Sequence, residues 1–155
     1  MRLNSFEALT AFAAQLDRNV RGGEFHTKVV IVPSSVSDKG VAIKVSPLKT
    51  YIQDKPAAAR SSRALRIRVS VAGTAESMTG LRQALAAIEA LDRYLASDGL
   101  RLEAADSSGT IKKIANSRIV QAVSAEDSFI DSPDSAAAQD VQDDRIITIT
   151  IPQGD

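Results

Sequence analysis

His26 is the one histidine of the chain, and cysteine is absent. A nucleophile–base couple needs a hydroxyl or thiol held against a base. His26 lies just before the first β-branched run and has no nearby serine, cysteine or paired carboxylate to complete such a couple. A catalytic triad is recognised by several roles together, so His26 reads as a structural or solvent-exposed histidine. The missing cysteines remove disulfides, thiolate nucleophiles and zinc–cysteine sites in one step. The expectation is no catalytic residues, no cofactor and no metal, so the chain is not expected to be an enzyme.

Three other groupings could carry chemistry. The first is acidic. Residues 125–144 hold Glu126, Asp127, Asp131, Asp134, Asp140, Asp143 and Asp144 with no basic residue among them. Their spacing does not match the alternating ligands around a central glycine of a calcium loop. Phe129 and Ile130 interrupt the run and Pro133 stiffens it, which suits a solvated loop that orders on a partner. Phe129 and Ile130 among Asp127, Asp131 and Asp134 would make its docking point.

The second grouping is basic: Lys55, Arg60, Arg63, Arg66 and Arg68 face a single acid, Asp54. It reads either as a solvated loop entering the outer face of a strand or as an electrostatic contact for an acidic surface. A neighbouring copy offers such a surface in its own residues 125–144. Opposite patches on one chain suit a head-to-tail interface, which joins two different surfaces. The third grouping, Gly73 and Gly80 around AGTAESMTG, sits where a phosphate loop would lie between strand and helix. Its spacing matches neither GxxxxGK[ST] nor GxGxxG, and no lysine opens the helix.

The elements that must hold these groups follow from periodicity. Asn4 with Glu7 forms a capping box ahead of Phe6, Leu9, Phe12, Ala13, Leu16 and Val20, a stripe at helical spacing that Arg21, Gly22 and Gly23 end. Val29 to Val32 predict a strand. Val41, Ile43 and Val45 alternate with Ala42, Lys44 and Ser46 as a second, which Pro47 interrupts, leaving 48–53 as a continuing edge strand. Residues 54–63 read as a loop. Leu65, Ile67, Val69 and Val71 against Arg66, Arg68 and Ser70 describe a half-buried antiparallel strand.

After a loop at 72–80, a helix is expected from about Leu81 to Ala96. Leu81, Leu85, Ile88, Leu91 and Leu95 form its apolar face, widened by Ala84, Ala87 and Ala90, and Asp98-Gly99 stop it. Leu100 and Leu102 begin a strand, 110–114 return as its hairpin partner, and 118–123 add another. Residues 125–144 read as a long acidic loop. Ile147, Ile149 and Ile151 mark a closing strand from Arg145. The prediction is one α+β domain over residues 1–155, with a mostly antiparallel or mixed sheet and two main helices packed on one face.

Composition limits the partners. The 155 residues are enough for one core, and the 19 basic and 19 acidic side chains cancel, whereas duplex binders draw affinity from a basic surface. Tryptophan is absent and aromatics total 4%, which leaves little for stacking on bases. No run approaches the ~20 apolar residues of a membrane span. The first residues lack a hydrophobic signal core, so a cytoplasmic site of folding is expected.

The helix NSFEALTAFAAQLDRNV, the strand ALRIRVSVAG, the helix GLRQALAAIEALDRYLASDG and the closing strand RIITITIP together resemble, in order and length, the tail terminators and related neck proteins of long-tailed bacteriophages and prophages. That resemblance implies a structural protein forming a hexameric ring that ends tail-tube polymerisation and joins tail to head. Its partners would be copies of itself, tube subunits and head–tail connector proteins. It would assemble in the host bacterial cytoplasm and stay in the virion tail. The competing reading is a small cytoplasmic binding or regulatory module that takes an acidic ligand or nucleic acid through its basic segment. An enzyme using scattered carboxylates is a third.

Overall fold

A computed structural model describes residues 3–20, 27–32, 40–53, 62–121, 129–131 and 139–152. In chain order the elements are α1 (Ser5–Asn19), β1 (Val29–Ile31), β2 (Gly40–Gln53), β3 (Ser62–Ala75), α2 (Met78–Leu95), β4 (Glu103–Ala105), β5 (Ile111–Lys113), β6 (Arg118–Gln121), β7 (Phe129–Asp131) and β8 (Gln139–Pro152). The class is α+β, as the sequence predicts. A six-stranded sheet runs β1-β2-β3-β8-β6, with β7 also on β8. β1 pairs parallel with β2 and the other pairings of this sheet are antiparallel, so the sheet is mixed.

The three central strands are each 14 residues long, and side chains on them alternate between faces. One face takes both helices. Ile43, Val71 and Asp143 share a cross-strand row, followed by Val45, Val69 and Arg145, then Pro47, Ile67 and Ile147, then Leu65 and Ile149. The apolar members of these rows that are buried, together with Phe12, Leu16 and Leu91 from the helices, make the core. α1 packs over β1, β2 and β4, and α2 over β3, β2 and β8.

α1 starts as its sequence dictates. Asn4 Oδ1 accepts from the Glu7 amide at 2.7 Å, and Glu7 Oε1 accepts from the Asn4 amide at 3.0 Å, satisfying two amides that a helix start otherwise leaves unpaired. The helix closes at Asn19 with Val20 as C-cap; Arg21, Gly22 and Gly23 lie outside the described residues. Phe6 does not join the stripe, being 68% exposed.

α2 starts at Met78 rather than Leu81, because Ser77 caps it, accepting from the Gly80 amide at 3.1 Å. Its buried face differs from the expected leucine face. Ala84, Ala87, Ala90, Leu91 and Leu95 are buried, while Leu85 is 42% exposed. The small alanines let the helix axis sit close to the sheet, and that rotation turns Leu85 outward.

The strands run further than local residue preferences suggest. Pro47 does not end β2, and 48–53 continue it as expected: among the described residues they pair with β3 alone, since the register with β1 stops at Val45. The register slips between Pro47 and Lys49, a bulge that accommodates the missing proline N–H, and β2 continues along β3 to Gln53. Ser62 and Arg63, expected in a loop, open β3, and Ala72 to Ala75 extend it beyond the expected end. Close approach explains Gly73: at φ +141° any Cβ here would lie 1.9 Å from the Gly40 carbonyl oxygen. The acidic stretch is not one loop either. Phe129–Asp131 pair with 140–142 of β8, which begins at Gln139, not Arg145, and the ladder with β3 supplies the pairing that the acidic sequence does not advertise.

A second, two-stranded sheet joins β4 to β5, with β4 starting at Glu103 rather than at Leu100 and β5 falling within the expected 110–114. Gln15, 1% exposed, fastens it to α1 and α2. Its Nε2 donates to Tyr94 Oη at 2.7 Å and to the Arg101 carbonyl at 2.9 Å, and its Oε1 accepts from the Glu103 amide at 2.8 Å. Burial pushes the Tyr94 hydroxyl above its ordinary pKa.

Candidate functional site

The sheet face away from the helices carries the groups of interest. Alternation along β3 places Ala64, Arg66, Arg68, Ser70, Ala72 and Thr74 there, and the register adds Asp140, Gln142, Asp144, Ile146, Thr148 and Thr150 of β8. Lys44 and Ser46 of β2 and Arg118 and Val120 of β6 join them.

Charge on this face is divided along the strands. Arg66 lies in the row of Thr148 and Val120, Arg68 in the row of Ser46 and Ile146, and Arg118 in the row of Ala64 and Thr150. Toward the other end, Asp144 accepts from Ser70 Oγ and Gln142 Nε2, both at 2.5 Å, and Asp140 accepts from Thr74 Oγ1 at 3.1 Å. Eight residues of β3 separate the Arg66 row from the Asp140 row, ~27 Å at ~3.4 Å per residue. Lys44 stands in the Ser70–Asp144 row, two strand spacings or ~10 Å from Asp144. Arg68, Arg118, Asp140 and Asp144 are exposed and Arg66 is half-buried. Arg66, Arg68 and Arg118 form no ion pair among the described residues. Val120, 51% exposed, adds an apolar spot beside the cations.

The residues singled out from the sequence are distributed unevenly. Arg66 and Arg68 share the face. Arg63 does not, because its register with Ile52 and Ile151 puts it on the helix side, where its guanidinium donates to the Leu3 carbonyl at 3.4 Å and to Ser5 Oγ at 3.5 Å. Arg63 thus ties down the start of α1. Phe129, Ile130 and Asp131 fall in β7, in register with Gln142, Val141 and Asp140, so the backbone of Asp131 sits at the acidic end. Lys55, Arg60, Asp127, Asp134 and His26 lie outside the described residues. Gly80 belongs to the cap of α2 and Gly73 to a strand contact, and neither builds a phosphate loop.

Beneath α2 lies a polar group that residue types alone do not reveal. Arg145 is 7% exposed and Asp143 8%. Arg145 Nη2 donates to Asp143 at 3.1 Å, Nη1 donates to Asp92 of α2, and Nε has no acceptor. Burial works against the guanidinium charge, but the hydrogen bonds it donates to Asp92 and Asp143, with the negative charge of both, outweigh it and raise its pKa. The signal existed in the sequence: Val141, Asp143, Arg145, Ile147 and Ile149 recur at period two, so strand alternation carried upstream puts both charges on the core face.

Among the described residues no group of three or more His, Cys, Asp or Glu side chains could hold a metal ion, and no helix is long and apolar enough to cross a membrane. Comparison with known proteins finds no family model that matches the chain and no matching curated relative.

Proposed function

We propose that this chain is a structural subunit of a phage or prophage tail, a tail terminator whose copies join head to tail in a hexameric ring that ends tube polymerisation and connects tail to head. The observation that carries the reading is the divided charge of the helix-free face. Arg118, Arg66 and Arg68, which form no ion pair among the described residues, lie in the rows up to Arg68 of β3. Asp144 and Asp140 lie in the rows from Ser70 onward, Arg68 and Asp144 being two positions apart. A heterologous interface joins two different patches of one surface, and a closing rotation turns that into a ring. Opposite charge steers the encounter and fixes its register more than it adds affinity. The resemblance of the sequence to the terminators in the order of its elements adds to this reading.

The test is mass and shape in solution. Purified protein, alone and with tube subunits, is weighed by light scattering and imaged by negative-stain electron microscopy. Rings of six copies are expected, and they should weaken as salt rises, because exposed charges are screened beyond ~8 Å at physiological ionic strength. Reversing the cations (Arg66→Glu with Arg68→Glu) should abolish rings, and mixing that variant with Asp140→Lys/Asp144→Lys protein should partly restore them. A monomer at all concentrations, with and without tube subunits, would sink the proposal.

The same cations favour a second reading, capture of an acidic ligand or nucleic acid. Binding to short DNA with a steep salt dependence, by a protein that stays monomeric, would select it.

A further inference from the structure

α2 keeps part of its apolar surface out of the core. Met78 is 74% exposed and Leu85 42%, and Leu81 and Ile88 are only partly buried. Their spacing of three, four and three residues lines them up as a seam of the kind that packs against another helix. Leu81 and Ile88 lean one side against the core, while Met78 and Leu85 stay largely outside the buried face that Ala84, Ala87, Ala90, Leu91 and Leu95 supply.

The charges beside the seam say what covers it. Arg82 and Glu89 are exposed and make no ion pair among the described residues. They lie two turns apart, ~10 Å at ~1.5 Å per residue, and are placed evenly about the Leu85–Ala86 step. A second α2 laid antiparallel across the first puts Arg82 opposite Glu89 of the partner subunit, and its own Glu89 opposite Arg82 of the partner subunit. A parallel arrangement would put the flank carrying Arg82 and Glu89 on opposite sides of the contact in the two copies, so neither charge would gain an opposite partner.

We infer that this face is a self-docking surface: α2 packs antiparallel against α2 of a second copy, about a two-fold axis beside Leu85, closed by two reciprocal Arg82–Glu89 ion pairs. The contact is isologous, the same patch on both copies. It therefore differs from a head-to-tail contact through the sheet face and does not rest on it. One helix pair buries less than the ~1,600 Å² of a standard stable interface, so the pairing is concentration-dependent.

The absence of cysteine makes the test clean. A residue beside a two-fold axis meets its own counterpart, whereas a head-to-tail contact joins different positions. Leu85→Cys protein under mild oxidation should form a covalent dimer on a non-reducing gel, while Ser107→Cys, exposed at the tip of the β4–β5 hairpin, should give at least about tenfold less. In sedimentation velocity, Arg82→Glu and Glu89→Arg should each weaken dimerisation about tenfold, corresponding to ~1.4 kcal/mol, and the double variant should recover it. Equal cross-linking at positions 85 and 107 overturns the inference, and so does a double variant no better than the singles. The Arg66→Glu/Arg68→Glu variant separates the two proposals: rings should disappear while the position-85 cross-link persists.

Discussion

Replacing Arg145 by methionine should be far more damaging than the loss of one surface-adjacent ion pair. The side chain is 7% exposed and donates to Asp143, itself 8% exposed, at 3.1 Å. Taking the guanidinium away leaves the Asp143 carboxylate buried without its cation. Breaking a buried pair from one side costs about 3–5 kcal/mol, whereas exchanging the whole pair for apolar side chains of similar volume is often neutral. Asp92 adds little to the loss, because its side chain is 58% exposed and water can take the place of Arg145. The native network also carries an unmatched Nε, and a buried donor left unpaired costs about 1–3 kcal/mol, so the pair is no strong source of stability in itself.

Arg145→Met should therefore lower unfolding free energy by about 3–5 kcal/mol in urea titration. At ~2–4 °C per kcal/mol for a chain of this size, the midpoint of thermal unfolding should fall by roughly 6–20 °C. The double variant Asp143→Leu/Arg145→Met should return to within ~1 kcal/mol of the parent. A single variant that loses less than ~1 kcal/mol would refute the reasoning. A double variant as unstable as the single would do the same, since it would mean that the cost lies in packing rather than in a stranded charge.

Other expectations concern the clamp, one glycine and one carboxylate. Gln15→Ala strands the Glu103 amide and the Arg101 carbonyl and should cost about 2–4 kcal/mol, read as a lower urea midpoint; a loss under ~0.5 kcal/mol would contradict the clamp. Gly73→Ala forces a Cβ to 1.9 Å from the Gly40 carbonyl at φ +141° and should destabilise by at least about 2 kcal/mol, with hydrogen exchange rising first where β2 and β3 meet at Gly40 and Gly73. Asp106 has its pKa lowered from 3.8 to about 2 by the Ser108 hydroxyl first, then Lys112 and the Thr110 amide. A depressed folded-state value means its contribution is present above the unfolded pKa and lost as pH falls through about 2. In a carboxyl carbon NMR titration Ser108→Ala should move the midpoint upward, and a parent midpoint near 3.8 would contradict the assigned hydrogen bonds.

Local chemistry made several elements legible without any tertiary knowledge. Asn4 and Glu7 stand three residues apart, and a capping box depends on nothing beyond that turn. The alternation of Leu65, Ile67, Val69 and Val71 with Arg66, Arg68 and Ser70 defines both faces of β3, so Arg66 and Arg68 could be placed on an outer face in advance. Strand length was harder to read. β8 begins six residues before Arg145, among acids of poor strand propensity, and only the ladder with β3 overrides that preference.

The sequence by itself determined the class of the fold, the capped first helix, the half-buried strand and the absence of thiol chemistry, because each rests on neighbours within a turn or a strand pair. Tertiary structure decided how far β3 extends and which charges of other strands share the surface of Arg66 and Arg68. Arg63, three residues before Arg66, lands on the opposite face because successive strand positions alternate, while Asp140 and Asp144 reach the face of Arg66 and Arg68 through a register spanning 66 and 74 positions of chain. It also decided that α2 turns its alanines inward and Leu85 outward: a helix settles where its backbone can approach the sheet most closely, and the sequence of the helix does not contain the shape of the sheet.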